Sequence, residues 1–266
     1  MLRPVVKILT GYSEKGGSTT AFIRLTNALN ESNVDCTLYG PHDWHLNKCK
    51  SDKLQQICID SNDIFITHFL PIKKRPQVKK VILACHEKNL YEVGDVKQYW
   101  DIAVFLNNTH REYHNRYNGP FTLIPNLKDD ALISVNKPHL SNIAGIIGSI
   151  DENKQTHVSI ERAIADRCDI IYIFGTINDA NYFNNFVKPL LSNNTVKLMP
   201  FQTNKQEMYN MIGKVYHSAK SECACLVKDE CLQTNTEFNG NDATNHEPSQ
   251  LKNHEIVSKW LELINI

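Results

Sequence analysis

Two glutamates near the C-terminal end of the chain, Glu222 and Glu230, are the residues whose types and spacing most directly suggest chemistry. At about 3.6 residues per turn, a separation of eight positions would place both carboxylates along one face of a helix. One could then reach into a cleft while the other contacts a second part of the same long ligand. Two solvated surface glutamates are the commoner meaning of such a pair, so the interpretation depends on the other signals in the chain.

A glycine pair, Gly16 and Gly17, follows the first apolar run, Val5–Leu9, and precedes an amphipathic helical pattern. Glycines at such a strand-to-helix junction let a ligand approach the backbone, and the N–H groups at the helix start favour an anion or a polar oxygen. The segment matches neither a dinucleotide fingerprint nor a Walker loop. A flexible connection without ligand remains the alternative.

Three further candidates stand just after predicted strands, where open parallel sheets bind their ligands. His86 follows the run Val81–Cys85 and could hydrogen-bond a sugar hydroxyl or steady developing charge, or it could be a packing residue. Lys154 follows Ile143–Gly148 and, near a helix start, would suit the phosphates of a nucleotide unless it is an ordinary surface lysine. Gly175 would let a base or ribose lie against the backbone.

Composition excludes several classes of protein. Lys plus Arg and Asp plus Glu are balanced at 29 each in 266 residues, so no overall field attracts nucleic acid. A local basic run, 73–80, could touch lipid head groups or be a solvated loop edge. No export signal or bilayer-spanning stretch is visible, and the eight cysteines lack a metal or disulfide spacing. These features predict reduced thiols and a cytoplasmic protein, with peripheral membrane contact as an option.

Short apolar runs alternate with helical patterns twice along the chain, which predicts an α/β fold with two Rossmann-like parallel sheets facing a cleft. The first domain is expected over 1–130 and the second over 141–253, joined by a polar linker within 127–141. The amphipathic helix Glu255–Ile264, within a closing segment 254–266, could pack back on the first domain.

In this order, the residues resemble the retaining GT-B glycosyltransferases, in particular the family 4-like enzymes that carry an E-x7-E element. The resemblance covers most of the chain. It rests on Gly16-Gly17, on Ile124-Pro125-Asn126, on the segment from Ile146 to Lys154, on Ile173-Phe174-Gly175, and on the spacing of Glu222 and Glu230.

The resemblance implies a role for each candidate. Glu222 would face the donor sugar and Glu230 would accept hydrogen bonds from the ribose. Lys154 would pair with the diphosphate, with Gly175 beside the nucleotide. Gly16 and Gly17 would border the reacting sugar and leaving phosphate, and His86 would contact the donor sugar.

Two positions depart from the family pattern. Ser149 stands where the family usually has an arginine, so one diphosphate cation is missing unless Lys15 or Arg24 replaces it. Cys223-Ala224-Cys225 replaces the usual glycine and aromatic residues after the first glutamate. These departures bear on donor affinity and on the geometry of the loop.

The resemblance implies sugar transfer from a nucleotide-diphosphate sugar to a glycan, glycolipid or other hydroxyl acceptor, with retention and with no cofactor besides that co-substrate. The absence of a DxD sequence agrees with a site without metal. A non-catalytic nucleotide- or sugar-binding module and a viral-type enzyme that glycosylates modified DNA bases remain alternatives, although zero net charge disfavours DNA. A nucleotide-dependent oxidoreductase is the least favoured, since its glycine fingerprint is missing.

Overall fold

The computed structural model describes residues 5–11, 16–40, 48–68, 75–88, 99–200, 202 and 204–264. The chain divides into two compact units. The first unit comprises Met1–Leu127 together with Ser249–Ile266, and the second comprises Lys128–Pro248. The chain therefore returns to its first unit after completing the second.

The described part of the first unit is built on a seven-stranded sheet with the order β3-β2-β1-β4-β5-β6-β7. Every strand pair in it is parallel. The strands are β1 Val6–Thr10, β2 Cys36–Gly40, β3 Ser51–Lys53, β4 Ile64–His68, β5 Lys80–Ala84, β6 Ile102–Phe105 and β7 Phe121–Leu123. The strand order reverses between β1 and β4, which makes the carboxyl ends of these two strands the expected ligand-binding edge.

The helices of the first unit cover that sheet. Helix α1 (Gly17–Glu31) buries Phe22, Leu25 and Leu29 against the central strands. The short α2 (Asn108–Tyr113) follows β6, and its start is capped by the Asn107 side chain, which accepts a hydrogen bond from the His110 N–H at 2.7 Å. The closing helix α7 (Asn253–Ile264) has an apolar face that lies in the same core as α1, at Ile256, Trp260 and Ile264.

The second unit is built on a five-stranded parallel sheet with the order β10-β9-β8-β11-β12 in its described residues. The strands are β8 Ile143–Ile147, β9 Ile170–Phe174, β10 Val196–Leu198, β11 Lys214–Tyr216 and β12 Glu237–Asn239. The helices are α3 Thr156–Ala165, the single turn α4 Ala180–Tyr182, α5 Lys205–Asn210 and α6 Leu226–Gln233. Here the strand order reverses between β8 and β11.

Several elements differ from the sequence prediction. The polar stretch 233–253 predicts no regular element, yet strand β12 lies within it. As an edge strand, β12 pairs only with β11 among the described strands and needs no apolar run. The sequence pattern predicts one helix from Tyr182 to Leu191. The structure instead has α4, followed by a π-helix at Phe183–Val187 and a 3-10 helix at Lys188–Ser192. Pro189 lacks an N–H, which agrees with the change of hydrogen-bond pattern there.

In the part of the chain that the structure describes, helices of membrane-spanning length and hydropathy are absent.

Candidate functional site

The centre of the candidate site is an ion pair between Lys154 and Glu222 in the second unit. Lys154 lies in the loop after β8, and Glu222 lies in the loop after β11. Since β8 and β11 are adjacent and the strand order reverses between them, both loops emerge at the edge where open parallel sheets bind ligands. Residues 68 positions apart are thus brought together by the topology.

His217 completes this cluster by donating a hydrogen bond from Nε2 to Glu222 Oε1 at 2.8 Å. The same oxygen accepts a hydrogen bond from Lys154 Nζ. Burial raises the pKa of Glu222, but the hydrogen bond from His217 and the charge of Lys154 outweigh it and lower the pKa to about 2. Burial lowers the pKa of Lys154, yet the carboxylate more than compensates and the net shift is upward. At neutral pH the site therefore presents a carboxylate and an ammonium ion.

The loop that carries Glu222 is tied down by backbone contacts from its neighbours. The Lys220 N–H donates to the Asn153 carbonyl at 2.7 Å, which joins it to the Lys154 loop. Asn241 Nδ2 donates to the Ala219 carbonyl at 2.8 Å. Arg162 of α3 donates to Ser218 Oγ at 3.0 Å. These contacts fix the segment that leads into the glutamate from β11, so the position of its carboxylate follows from the fold.

Glu230 has a different set of partners. Its side chain is 2% exposed, and it pairs through Oε1 with Lys205. The buried Tyr209 hydroxyl donates to Glu230 Oε2 at 3.0 Å. Burial, followed by the charge of Glu230, raises the pKa of Tyr209 well above its usual value, so the phenol keeps its proton.

The two glutamates do not share a helix, so that part of the sequence prediction is wrong. Helix α6 begins at Leu226, four residues after Glu222. Cys225 is extended, and its N–H donates to His246 Nε2 at 3.0 Å instead of entering the helix. Only Glu230 is helical, and Glu222 lies in the preceding loop.

Gly175 directly follows β9 and lies against the backbone of Gly148, which leaves no room for a side chain. A Cβ at Gly175 would lie 1.8 Å from the Gly148 carbonyl oxygen. Gly148 has a φ of +140°, a conformation that residues with side chains rarely adopt. The two glycines let the loops after β8 and β9 approach closely, with the Ile150 N–H donating to the Thr176 carbonyl at 2.8 Å. The Gly148 backbone thus occupies the side of Gly175 on which a Cβ would lie, and the expected contact of Gly175 with a nucleotide stays a prediction.

Gly16 precedes the first turn of α1, which begins at Gly17. It is extended, and no atom of the described residues lies within 4 Å of the place where its Cβ would be. Its carbonyl accepts hydrogen bonds from both N–H and Oγ1 of Thr20, each at 3.1 Å. An open helix start after β1 fits the sequence prediction of a place for an anion.

His86 is half-buried just beyond β5 in the first unit. Its ring lies 4.8 Å from that of Phe22 and 5.5 Å from that of His68, measured between centroids. Burial lowers its pKa well below the usual value, and the charges of His68 and His110 act in the same direction. The imidazole is therefore neutral at pH 7 and can act as a hydrogen-bonding group rather than as a cation.

The structure also places the residues invoked for the missing arginine. The Ser149 hydroxyl donates to Asp151 Oδ2 at 2.5 Å and so belongs to the turn that leads to Lys154. Arg24 donates to the Leu127 carbonyl at 3.2 Å within the first unit. Lys15 lies outside the described residues. In the basic run, Lys73 and Lys74 also lie outside them, while Arg75 forms a two-bond pair with Asp101 at 3.0 and 2.8 Å.

Sequence reasoning missed His217, Lys205 and Tyr209. His217 could have been found, because it directly follows β11 and strand ends were the places to inspect. Lys205 and Tyr209 lie on α5 and reach Glu230 only through the packing of α5 on α6, which no spacing in the sequence reveals.

Cys225 brings its thiol near His217 and Glu222, and their ligand atoms lie within 4.8 Å of one another. This arrangement resembles a metal site, but Lys154 already supplies a positive charge to the Glu222 carboxylate. An added cation would have to displace the ammonium ion or lie beside it. The cluster is therefore best described as a carboxylate held by one cation and one imidazole.

The chain has two parallel α/β units, and the strand order of each sheet reverses once. The predicted GT-B fold class is confirmed by the solved structures to which the chain is similar. Among solved structures, the chain is similar to HepE from Anabaena in complex with UDP and glucose, with a TM-score of 0.70 and 10% identity over 98% of this chain and 88% of that one. It is also similar to TarM from S. aureus, in a complex with fondaparinux, α-GlcNAc-glycerol and UDP. There the TM-score is 0.71 with 9% identity, over 100% of this chain and 93% of that one.

A third similar structure is sucrose-phosphate synthase from Thermosynechococcus elongatus, with a TM-score of 0.67 and 12% identity over 90% of this chain and 81% of that one. No protein-family model and no curated protein sequence matches the chain. At these identities the similarity establishes the fold, while activity has to be argued from the site.

Proposed function

We propose that the protein transfers a sugar from a nucleotide-diphosphate sugar to a hydroxyl group of a glycan, lipid-linked or other acceptor. The observation that carries this proposal is the Lys154–Glu222–His217 cluster at the edge between β8 and β11 of a GT-B fold. Similar structures contain UDP or UDP-glucose, which makes a uridine diphosphate sugar the first donor to test.

The chemistry requires a cation for the leaving diphosphate and a carboxylate for a sugar that acquires positive charge. Lys154 supplies the cation, and burial of its side chain strengthens its electrostatic effect. Glu222 orients the sugar and stays ionised because its pKa is about 2. We assign ribose binding to Glu230 and retain Gly16, Gly17 and His86 as contacts of the donor sugar and leaving phosphate. Lys154 leaves no need for a metal at the donor, and no further cofactor is invoked.

In the proposed step, the bond between the anomeric carbon and the diphosphate oxygen breaks as the acceptor oxygen bonds to the same face of that carbon. The acceptor proton passes to the leaving phosphate oxygen. Atoms and charges balance without a protein base. Retention of configuration follows from attack on the face that the leaving group vacates.

The test is a screen of nucleotide sugars for turnover, repeated with Glu222→Gln and Lys154→Ala. Both substitutions should lower the rate of transfer by at least about 100-fold, since each removes one of the two charges at the centre of the site. Glu161→Gln and Lys197→Ala change exposed residues of the same unit and serve as matched controls. Full activity in both site variants would show that transfer takes place elsewhere.

A non-catalytic binding module is the second candidate. One observation favours it: Ser149, where a second diphosphate cation is expected, is instead bonded to Asp151. Calorimetry with UDP separates the two candidates. Binding that depends on Lys154 without transfer from any donor supports the module, whereas transfer supports the enzyme.

A further inference from the structure

The first unit contains a buried group of metal-ligating side chains that the proposed function does not use. Cys85 follows β5, His110 lies on α2 and His114 immediately follows that helix. Their exposed fractions are 0%, 0% and 5%, and one ligand atom from each lies within 4.8 Å of the others. The two imidazole rings lie next to each other, with their centroids 5.2 Å apart. We propose that Cys85, His110 and His114 bind a structural Zn²⁺ ion.

The arrangement of donor atoms fits zinc. Cys85 Sγ and His114 Nε2 are 3.4 Å apart. In a tetrahedral site with Zn–S of about 2.3 Å and Zn–N of about 2.0 Å, these two atoms are separated by about 3.5 Å. One thiolate with two imidazoles is also a borderline-soft set that suits zinc better than magnesium or calcium. A small inward movement of His110 completes the three-ligand face.

The Glu87 carbonyl oxygen lies close to all three side-chain ligand atoms and would supply the fourth ligand. It is 2.7 Å from His114 Nε2, 3.2 Å from His110 Nε2 and 3.7 Å from Cys85 Sγ. Without an ion, three hydrogen-bond donors crowd one carbonyl, which has only two lone pairs. A cation at this position would replace the three hydrogen atoms and would be coordinated by the sulfur, the two ring nitrogens and the carbonyl oxygen.

Binding has a defined proton balance. The Cys85 thiol loses one proton to solvent as the S–Zn bond forms. Each imidazole remains neutral by carrying its hydrogen on Nδ1 in place of Nε2. For His110 this change gives up the hydrogen bond from the Leu106 N–H to Nδ1, which is 3.2 Å long. The free energy of coordinating a structural zinc exceeds the net contribution of such a hydrogen bond.

The scaffold around the ligands is already well packed. The Asn107 cap orients α2, and the His114 ring stacks on Phe105 at 5.2 Å between centroids. Arg111 donates to the His114 carbonyl at 2.5 Å and to the Tyr117 carbonyl at 2.7 Å. An ion here joins the end of β5 to the end of α2. Its ligands belong to a different unit from Lys154, Glu222 and His217, but they hold the backbone on both sides of His86, which the proposed function assigns to the donor sugar.

The experiment uses the full chain with an affinity tag that contains no histidines, stripped by a chelator under reducing conditions and reloaded with Zn²⁺ or Co²⁺. We expect one ion per chain after gel filtration, a tetrahedral Co²⁺ spectrum with a sulfur-to-cobalt charge-transfer band, and a higher Tm. Cys85→Ser should remove that band and weaken binding beyond the roughly 10–100-fold that loss of an outer partner costs. Cys36→Ala, a matched buried thiol in β2, should retain both.

X-ray absorption at the zinc edge of the loaded wild-type chain provides a measurement that does not depend on folding of a variant. One sulfur and two imidazoles in the first shell support the proposal. A shell of nitrogen and oxygen alone, an ion lost on gel filtration, or an unchanged cobalt band in Cys85→Ser would overturn it.

Discussion

Glu222 and Glu230 are only eight positions apart, yet they occupy two different environments within the second unit. Glu222 lies in a loop after β11 and shares one oxygen between Lys154 and His217, with 11% of its side chain exposed. Glu230 lies on α6, is 2% exposed, and divides its two oxygens between Lys205 and Tyr209. Glu222 thus retains some access to solvent at the edge proposed to bind the donor, whereas Glu230 is integrated into helix packing.

Two glutamates at a spacing typical of one site can therefore have different roles, one in ligand binding and one in helix packing. A carboxylate at a strand end with a cation beside it can act on a ligand. A carboxylate that satisfies a buried phenol also holds two helices together, so its loss should be felt in folding as well as in binding. The predictions below test this division, beginning with the largest expected effect.

The first prediction is that Glu222→Gln lowers kcat by about 100- to 1000-fold, or roughly 3–4 kcal/mol of transition-state stabilisation. The negative charge near the reacting sugar is lost while the shape of the side chain is kept. Steady-state kinetics with the best donor from the screen measure it. Glu230→Gln should raise KM for the donor much more than it lowers kcat. If both variants lose the same fraction of kcat, the two glutamates do not differ in the way proposed.

The second prediction is that Glu230→Ala lowers the free energy of unfolding by about 3 kcal/mol. The buried Tyr209 hydroxyl loses its acceptor and Lys205 loses its partner. Urea unfolding followed by circular dichroism measures the change. Tyr209→Phe should cost less, about 1 kcal/mol, because it removes one hydrogen bond and leaves the ion pair. A Glu230→Ala chain as stable as wild type would place this glutamate outside the packing of the unit.

The third prediction concerns the free energy of unfolding at low pH. Because the pKa of Glu222 is lowered in the folded state from 4.5 to about 2, its ionised form stabilises the fold above pH 4.5, and this contribution is lost as the pH falls through about 2. By pH 3, about 2 kcal/mol should already be lost from the advantage of wild type over Glu222→Gln. Urea unfolding at pH 6, 4 and 3 measures that advantage. An advantage that stays constant over this range would mean that the carboxyl titrates normally.

Much of the fold was readable from the sequence, for a physical reason. Buried parallel strands are short apolar runs between helical patterns. The runs Ile143–Gly148 and Asp169–Phe174 and the helical pattern Thr156–Ala165 therefore predict β8, β9 and α3 to within one residue. Strand β12 and helix α2 were not, because one is a short polar edge strand and the other is six residues long and capped by a side chain. Neither carries enough apolar periodicity to be recognised.

For the candidate site, Lys154 and Glu222 both follow predicted strands, and the structure brings their side chains into contact, while their roles stay predictions. The helix proposed for both glutamates was wrong because a hydrogen bond from Cys225 to the distant His246 keeps Cys225 extended and delays the helix start. At Gly175 the close approach of the Gly148 backbone requires a glycine whether or not a nucleotide binds beside it. Contacts between residues far apart in sequence decide both cases.

The smallest expected effect belongs to His217, a positioning residue that contacts Glu222 through a single 2.8 Å hydrogen bond. His217→Phe should lower kcat about 10-fold, roughly 1.4 kcal/mol, because Glu222 keeps Lys154 but loses the group that sets its orientation. His217→Gln, which restores a donor, should recover part of the rate. If His217 acted only through packing, restoring a hydrogen-bond donor in His217→Gln would not recover the rate. The deciding readout is the pKa of the Glu222 carboxyl by NMR, which should rise in the Phe variant and return toward about 2 in the Gln variant.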